Sequence, residues 1–254
     1  MYGTTRASDG WRARIGIVIP SINSTTEPWF SRIAPNGVTF HFGRMAMAPD
    51  VTPESLDDMR KHEVTACQLV ADCQPDVIMF ACTASTIIRG RSADEELMRE
   101  LTAATGVPCC TTTEAIVRAC AELGLRRVSL GSPYTEDIDA FDRRFFEEAG
   151  LEVLNSTGLG IRDGRELGDP SAGEAYRLGR ETWRDGSDGL VMTCLALRAH
   201  ECVPELESSL GAPVVTSAQA TLWAGLRLAG VMDDVPGLGE LLSRKGSDWS
   251  KLTG

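Results

Sequence analysis

Histidine is scarce in this sequence. Only His41, His62 and His200 occur among 254 residues, scattered along the chain. Cysteine never recurs as Cys-x-x-Cys, so the usual spacing of a zinc site is missing. Basic residues are outnumbered: 25 Lys and Arg stand against 36 Asp and Glu, a formal net charge of −11. That balance argues against nucleic acid and anionic membrane partners, which need basic patches. An anionic ligand would have to be held by local donors. Long apolar runs are also missing. None approaches the roughly 20 residues of a membrane span. The opening "MYGTTRASDGWRAR" lacks the apolar stretch of a secretory signal.

The sequence does hold eight cysteines. Their positions follow no small secreted scaffold, so the expected compartment is reducing and cytoplasmic. Cys67, Cys73 and Cys120 fall in helical-looking stretches and read as buried thiols. The length allows one large domain or two small ones.

Short apolar runs at 14–20, 38–42, 76–82, 107–112, 127–133, 151–156, 189–194 and 212–217 read as buried strands. Helical patterns lie between them, which predicts parallel sheet covered on both faces. One helix is expected to open at Thr52, with Pro53 at its first position and Ser55 nearby, and to run through "TPESLDDMRKHEVTACQLVADC". Another, "TEDIDAFDRRFFEEAG", ends in Gly150, a fitting residue just past a helix end. The polar tail 243–254 is expected to fray.

The signals repeat in order. "IGIVIPSIN" returns as "VSLGSPYTE", "PDVIMFACTA" as "SDGLVMTCLA", and "GVPCCTTTEAIVRACAELG" as "GAPVVTSAQATLWAGLRLAG". This reads as a duplication: two related α/β lobes facing each other across a cleft. In open parallel sheets, ligands bind beyond the carboxyl ends of the strands. Ser21, Asn23, Cys82, Thr83, Thr112, Tyr134 and Cys194 all stand at such ends.

Cys82 and Cys194 occupy matching positions in the two halves. A thiolate is a nucleophile and a base, and a thiol is an acid. One thiol on each face of a planar carbon can move a proton across it, or add to a double bond and then protonate it. No histidine lies near either cysteine in sequence, so activation falls to N–H groups and hydroxyls. Thr83, Ser85 and Thr86 follow Cys82 directly. In "PSINSTTE", Asn23 and the hydroxyls after it are neutral donors suited to a carboxylate, or an ordinary Asx-capped turn.

These motifs resemble the aspartate/glutamate racemase superfamily, in its maleate cis–trans isomerase and arylmalonate decarboxylase branch. The resemblance runs from "RIGIVIPSINSTTE" through "RMAM", "ACTAST", "VPCCTTTEAI", "SPYTED" and "VMTCLAL" to "PGLGELL". It implies two pseudo-symmetric, doubly wound, flavodoxin-like lobes with parallel four-stranded sheets. The first lobe is expected at residues 1–105 with 213–254, the second at 106–212. It also implies a cofactor-independent, homo-oligomeric enzyme and a small carboxylate or dicarboxylate substrate in the cleft. Decarboxylases of this kind carry one cysteine, in the second half, and glycine where Cys82 stands; maleate isomerases carry both. By that resemblance Cys82 adds to the alkene and Cys194 protonates the neighbouring carbon. Asn23 and Tyr134 hold carboxylates, Ser21 and Thr112 contribute to binding, and Thr83 and the Leu195 N–H stabilise the anionic intermediate. The family's isomerases have an asparagine where this chain has Gly164; Arg162 and Arg165 beside it read either as part of a solvated loop or as a replacement for the missing donor. Two other readings stand beside isomerisation: a racemase, epimerase or decarboxylase acting on a carbon acid, and a non-catalytic carboxylate-binding protein.

Overall fold

The computed structural model describes residues 9–246. In chain order the elements are β1 (Ala13–Pro20), α1 (Thr26–Ile33), β2 (Val38–Met45), α2 (Pro53–Asp58), α3 (Arg60–Ala71), β3 (Val77–Phe80), α4 (Thr83–Ile87), α5 (Arg91–Thr105), β4 (Cys109–Thr111), α6 (Thr112–Glu122), β5 (Arg127–Ser132), α7 (Glu136–Glu148), β6 (Glu152–Gly158), α8 (Ala172–Thr182), β7 (Gly189–Met192), α9 (Val203–Leu210), β8 (Val214–Thr216) and α10 (Ser217–Leu228). All eight expected strands form.

They make two four-stranded sheets with the same order, β2-β1-β3-β4 and β6-β5-β7-β8. Every pairing within them is parallel. The duplication read in the sequence is therefore a duplication of topology. Central strands are the continuous apolar runs: Ile15, Ile17, Val18 and Ile19 in β1, and all of β3 and β7, are buried on both faces. Edge strand β2 is only partly covered.

The strands at the lobe boundaries correct the expected division. β4 pairs with β3 in the first sheet, and β8 pairs with β7 in the second. Each lies in the lobe opposite to the one expected. The helices after them do cross over. On α10, a side-chain carbon at Gly225 would sit 3.2 Å from Ile15 and 3.3 Å from Met79, so this helix lies close against the first sheet. α6 packs beside it and reaches β8. The boundaries consequently fall after β4 and after β8, where an apolar strand ends and a helix with two buried flanks begins.

The helix expected from Thr52 is two helices. Thr52 and Ser55 form a reciprocal capping box with Pro53 in the first turn. At Met59 the N–H bonds back to Leu56 at 3.3 Å, a tightened turn that breaks the axis. Cys73 lies past the end of α3 and is exposed, contrary to the buried reading. The start of the tail is also held: Arg244 C=O accepts from Trp223 Nε1 at 2.8 Å and Arg227 Nε at 2.9 Å. Residues 247–254, the rest of that tail, lie outside the described residues, as do residues 1–8. No helix among the described residues is long and apolar enough to cross a membrane.

Candidate active site

Each thiol sits where a central strand stops. β3 ends at Phe80, the Ala81 N–H bonds to Val18 C=O at 2.8 Å, and Cys82 caps α4 in an extended conformation. β7 ends at Met192, the Thr193 N–H bonds to Gly131 C=O at 2.9 Å, and Cys194 follows. The two lobes bring these two cysteines into the wall of one cavity. Asn23, Thr83, Tyr134 and the Leu195 backbone join them in its wall. Both thiols are nearly closed off from solvent, 5% and 7% exposed.

Burial pushes the Cys82 thiol up to about 11, against the Ser85 hydroxyl and N–H, which favour its anion. Burial also raises Cys194, where the Tyr134 hydroxyl and the Leu197 and Ala196 N–H groups favour the anion. Each thiolate disfavours the other thiol's ionisation, so the cleft accommodates one negative sulfur better than two. Burial, followed by the Cys194 charge, drives Tyr134 well above the usual phenol range, so it stays a donor.

Asn23 is oriented by its own chain. Its Oδ1 accepts from the N–H groups of Thr25 at 3.2 Å and Thr26 at 3.0 Å. Both the Asx turn and the donor role fit, because the capped oxygen fixes the side chain while its NH₂ remains to donate. Thr25 and Thr26 reach across the cleft: Thr25 Oγ1 donates to Ala196 C=O at 3.0 Å, Thr26 Oγ1 to Leu195 C=O at 3.4 Å. Thr83 Oγ1 pairs with Ser217 Oγ at 3.1 Å. The hydroxyl of Thr86 back-bonds to the Cys82 and Thr83 carbonyls, an ordinary helix role.

Two expected binding residues lie elsewhere. Thr112 Oγ1 pairs with Thr221 Oγ1 at 2.7 Å, joining α6 to α10 away from the cavity wall. Ser21 is exposed, and its Oγ accepts from the Met47 N–H at 3.2 Å. It positions Met47, which does line the cavity. Arg162 and Arg165 do not substitute for a side chain at position 164. Both are exposed on the outer face of their loop, and Arg165 is paired with Asp163. No Lys, Arg or His lines the cavity among the described residues. Gly164 itself does line it, and a side chain there would collide with Ile22 at 2.5 Å and Val51 at 3.1 Å. The loop is clamped to the first lobe by Gly164 N–H to Pro49 C=O at 2.6 Å and Val51 N–H to Arg162 C=O at 3.0 Å.

The residues that sequence reasoning missed are apolar. Ile22, Met47 and Leu167 complete the wall. Met47 lies in the "RMAM" segment already singled out; Ile22 and Leu167 carry no signal beyond hydrophobicity.

Residues 15–242 match one family, described as arylmalonate decarboxylase. The chain belongs to that family. Within the arylmalonate decarboxylase family it is 26% identical to the maleate isomerase of Geobacillus stearothermophilus, over 91% of this chain and 98% of that protein. It is 27% identical to the arylmalonate decarboxylase of Bordetella bronchiseptica, over 85% of this chain and 90% of that one. Among solved structures, a cysteine-to-alanine variant of the maleate isomerase Iso from Pseudomonas putida S16 with maleate superposes with a TM-score of 0.88. That match has 25% identity and covers 93% and 99% of the two chains. A cysteine-to-serine variant of the Nocardia farcinica maleate cis–trans isomerase, with a covalently bound succinylcysteine intermediate, gives 0.85. Its identity is 26%, with coverage of 92% and 99%. The two-lobed α/β fold and the maleate isomerase branch read from the motifs agree with these matches.

Proposed function

We propose that this family member is a cofactor-independent cis–trans isomerase of maleate or a related small cis-enedioate. One observation carries the reading: two thiols from equivalent strand ends line one cavity. The succinylcysteine held by the Nocardia farcinica relative supports thiol addition in this branch.

Cys82 adds as thiolate to one alkene carbon, and the displaced electron pair moves onto the neighbouring carbon and its carboxylate. The Cys194 S–H protonates that carbon and becomes a thiolate. The former double bond is now single and rotates. Cys194 then removes the proton, the C–S bond breaks, and the trans diacid leaves with Cys82 restored as thiolate. At no point do both sulfurs carry a negative charge, in keeping with the mutual disfavour of the two thiolates. The donors around Cys194 support the half of the cycle in which it carries the charge. While Cys194 is a thiol, its S–H can donate to the Tyr134 oxygen, leaving the phenol O–H for a substrate carboxylate. Once it is a thiolate, the phenol O–H turns to sulfur. Asn23 NH₂ holds a carboxylate, and Thr83 and the Leu195 N–H face the anionic intermediate.

Racemisation of an amino acid would use the same two thiols, but no carboxylate lines the cavity among the described residues to hold an amino group. Incubation with maleate, followed by NMR, tests the proposal. Fumarate should accumulate. Absence of fumarate, with exchange of an α-hydrogen of a saturated acid in deuterated water, would replace isomerisation with proton transfer at one carbon.

A further inference from the structure

The two strand ends match in backbone but not in side chain. Where the first lobe has Ala81 before its thiol, the second has Thr193. Thr193 Oγ1 donates to Asp142 Oδ2 at 2.5 Å. Asp142 lies on α7, is 0% exposed, and its Oδ1 has no partner. The charged or titratable groups acting on it and its neighbours are acidic: Asp139, Tyr134 and Cys194. Burial lifts its carboxyl to about 8. A buried carboxyl without a cation is costly, and here it holds one hydroxyl in place.

What that hydroxyl restrains is the next residue. Cys82 is extended, at φ −137° and ψ 93°. Cys194 has φ +76°, the left-handed region. A non-glycine residue there is strained and persists only when its surroundings fix it. Thr193 is fixed through its N–H to Gly131 and its hydroxyl to Asp142. Beyond the thiol, Thr26 and Thr25 hold the Leu195 and Ala196 carbonyls. The resulting turn aims the Ala196 and Leu197 N–H groups at the sulfur, a small concave nest of donors.

We propose that Thr193 and Asp142 are positioning residues that make the two thiols unequal, by pinning Cys194 in the left-handed turn that supplies its N–H donors. The mechanistic consequence rests on the two-thiol reading of the cleft; the pinning itself does not. Thr193→Val removes one hydroxyl and keeps the shape, Asp142→Leu removes its acceptor, and Thr193→Ser restores the hydroxyl. Two quantities are measured: kcat and KM with maleate, and the iodoacetamide labelling rate of each cysteine by peptide mass spectrometry. Exposed Cys73 is the internal reference.

In whichever of Thr193→Val and Asp142→Leu folds, Cys194 labelling should slow about tenfold relative to Cys82, as a thiolate losing its donors does. The kcat should fall about 100-fold, the scale of a misplaced reacting group, with KM little changed. Thr193→Ser should return both to wild type. Unchanged labelling ratio and kcat in a folded loss variant would overturn the proposal, as would parallel changes at Cys82 and Cys194. The labelling arm needs no turnover, so it stands or falls separately from the isomerase reading.

Discussion

Asn23 Oδ1 accepts the Thr26 N–H at 3.0 Å, so the amide that faces the cleft is locked by the first turn of a helix. The oxygen of this side chain thus serves folding, and its nitrogen is the group proposed for binding. Substitution can separate the two. Asn23→Asp keeps the capping oxygen and replaces the donor with an anion facing a substrate carboxylate. Its melting temperature should stay near wild type while KM for maleate rises at least tenfold. Asn23→Ala loses both functions and should also lose about 1 kcal/mol of stability, the usual worth of such a cap. Equal KM values for wild type and Asn23→Asp would remove Asn23 from the binding role.

The two thiols should fail differently. Cys82→Ser cannot form the C–S bond, and Cys194→Ser keeps the nucleophile. Both should lose turnover by a factor of about 10³ or more. After incubation with maleate, only Cys194→Ser should gain the mass of one bound diacid, on the peptide containing Cys82. An adduct on Cys194 in the Cys82→Ser protein would reverse the assignment.

His200 links acid stability to the lobe contact. It is 2% exposed, packs at a tilt against Trp29 with ring centroids 4.3 Å apart, and burial lowers its pKa to about 4. Between the ordinary histidine value near 6.5 and about 4, the unfolded chain binds the proton and the folded chain does not. Stability contributed by the neutral ring is therefore lost as pH falls through that window. Buried Asp94 and Asp142, raised to about 7 and about 8, act in the opposite direction, so the comparison must be with a variant. Between pH 7.5 and pH 5, wild type should lose about 2 kcal/mol more than His200→Gln in urea unfolding. Identical losses would show that the ring titrates alike in the folded and unfolded chain.

Gly164 leaves space that Ile22 fills. Gly164→Ala places a carbon 2.5 Å from Ile22 Cδ1 and 3.2 Å from Pro49 C=O. Ile22 must then move within the cavity wall. We expect a loss of about 1–3 kcal/mol from overpacking, together with a raised KM. Pairing it with Ile22→Val should recover part of both. Wild-type stability and KM in Gly164→Ala would show that the loop yields without disturbing the cavity.

Much of this molecule is decided locally. Strands bury continuous apolar runs, helices start at Thr52 and end before Gly150, and each central strand stops at a small or reactive residue. Period and turn chemistry act over a few residues, so all eight strands and both thiols are legible along the chain. Three things are not. Thr112 and Ser21 carry the right chemistry for a site yet are used up by Thr221 and Met47, because which neighbour a hydroxyl meets depends on helix packing. β4 and β8 stay with the sheets that precede them while their helices cross over, because strand pairing is a long-range choice. The third is the cavity itself. Cys82 and Cys194 are equivalent in sequence, but only the assembled lobes bring them to one cavity, where Cys82 meets Ser85 and Cys194, at a positive φ, meets Tyr134 and the Ala196 and Leu197 N–H groups. Sequence supplies two thiols; the packing of the lobes gives them different donors.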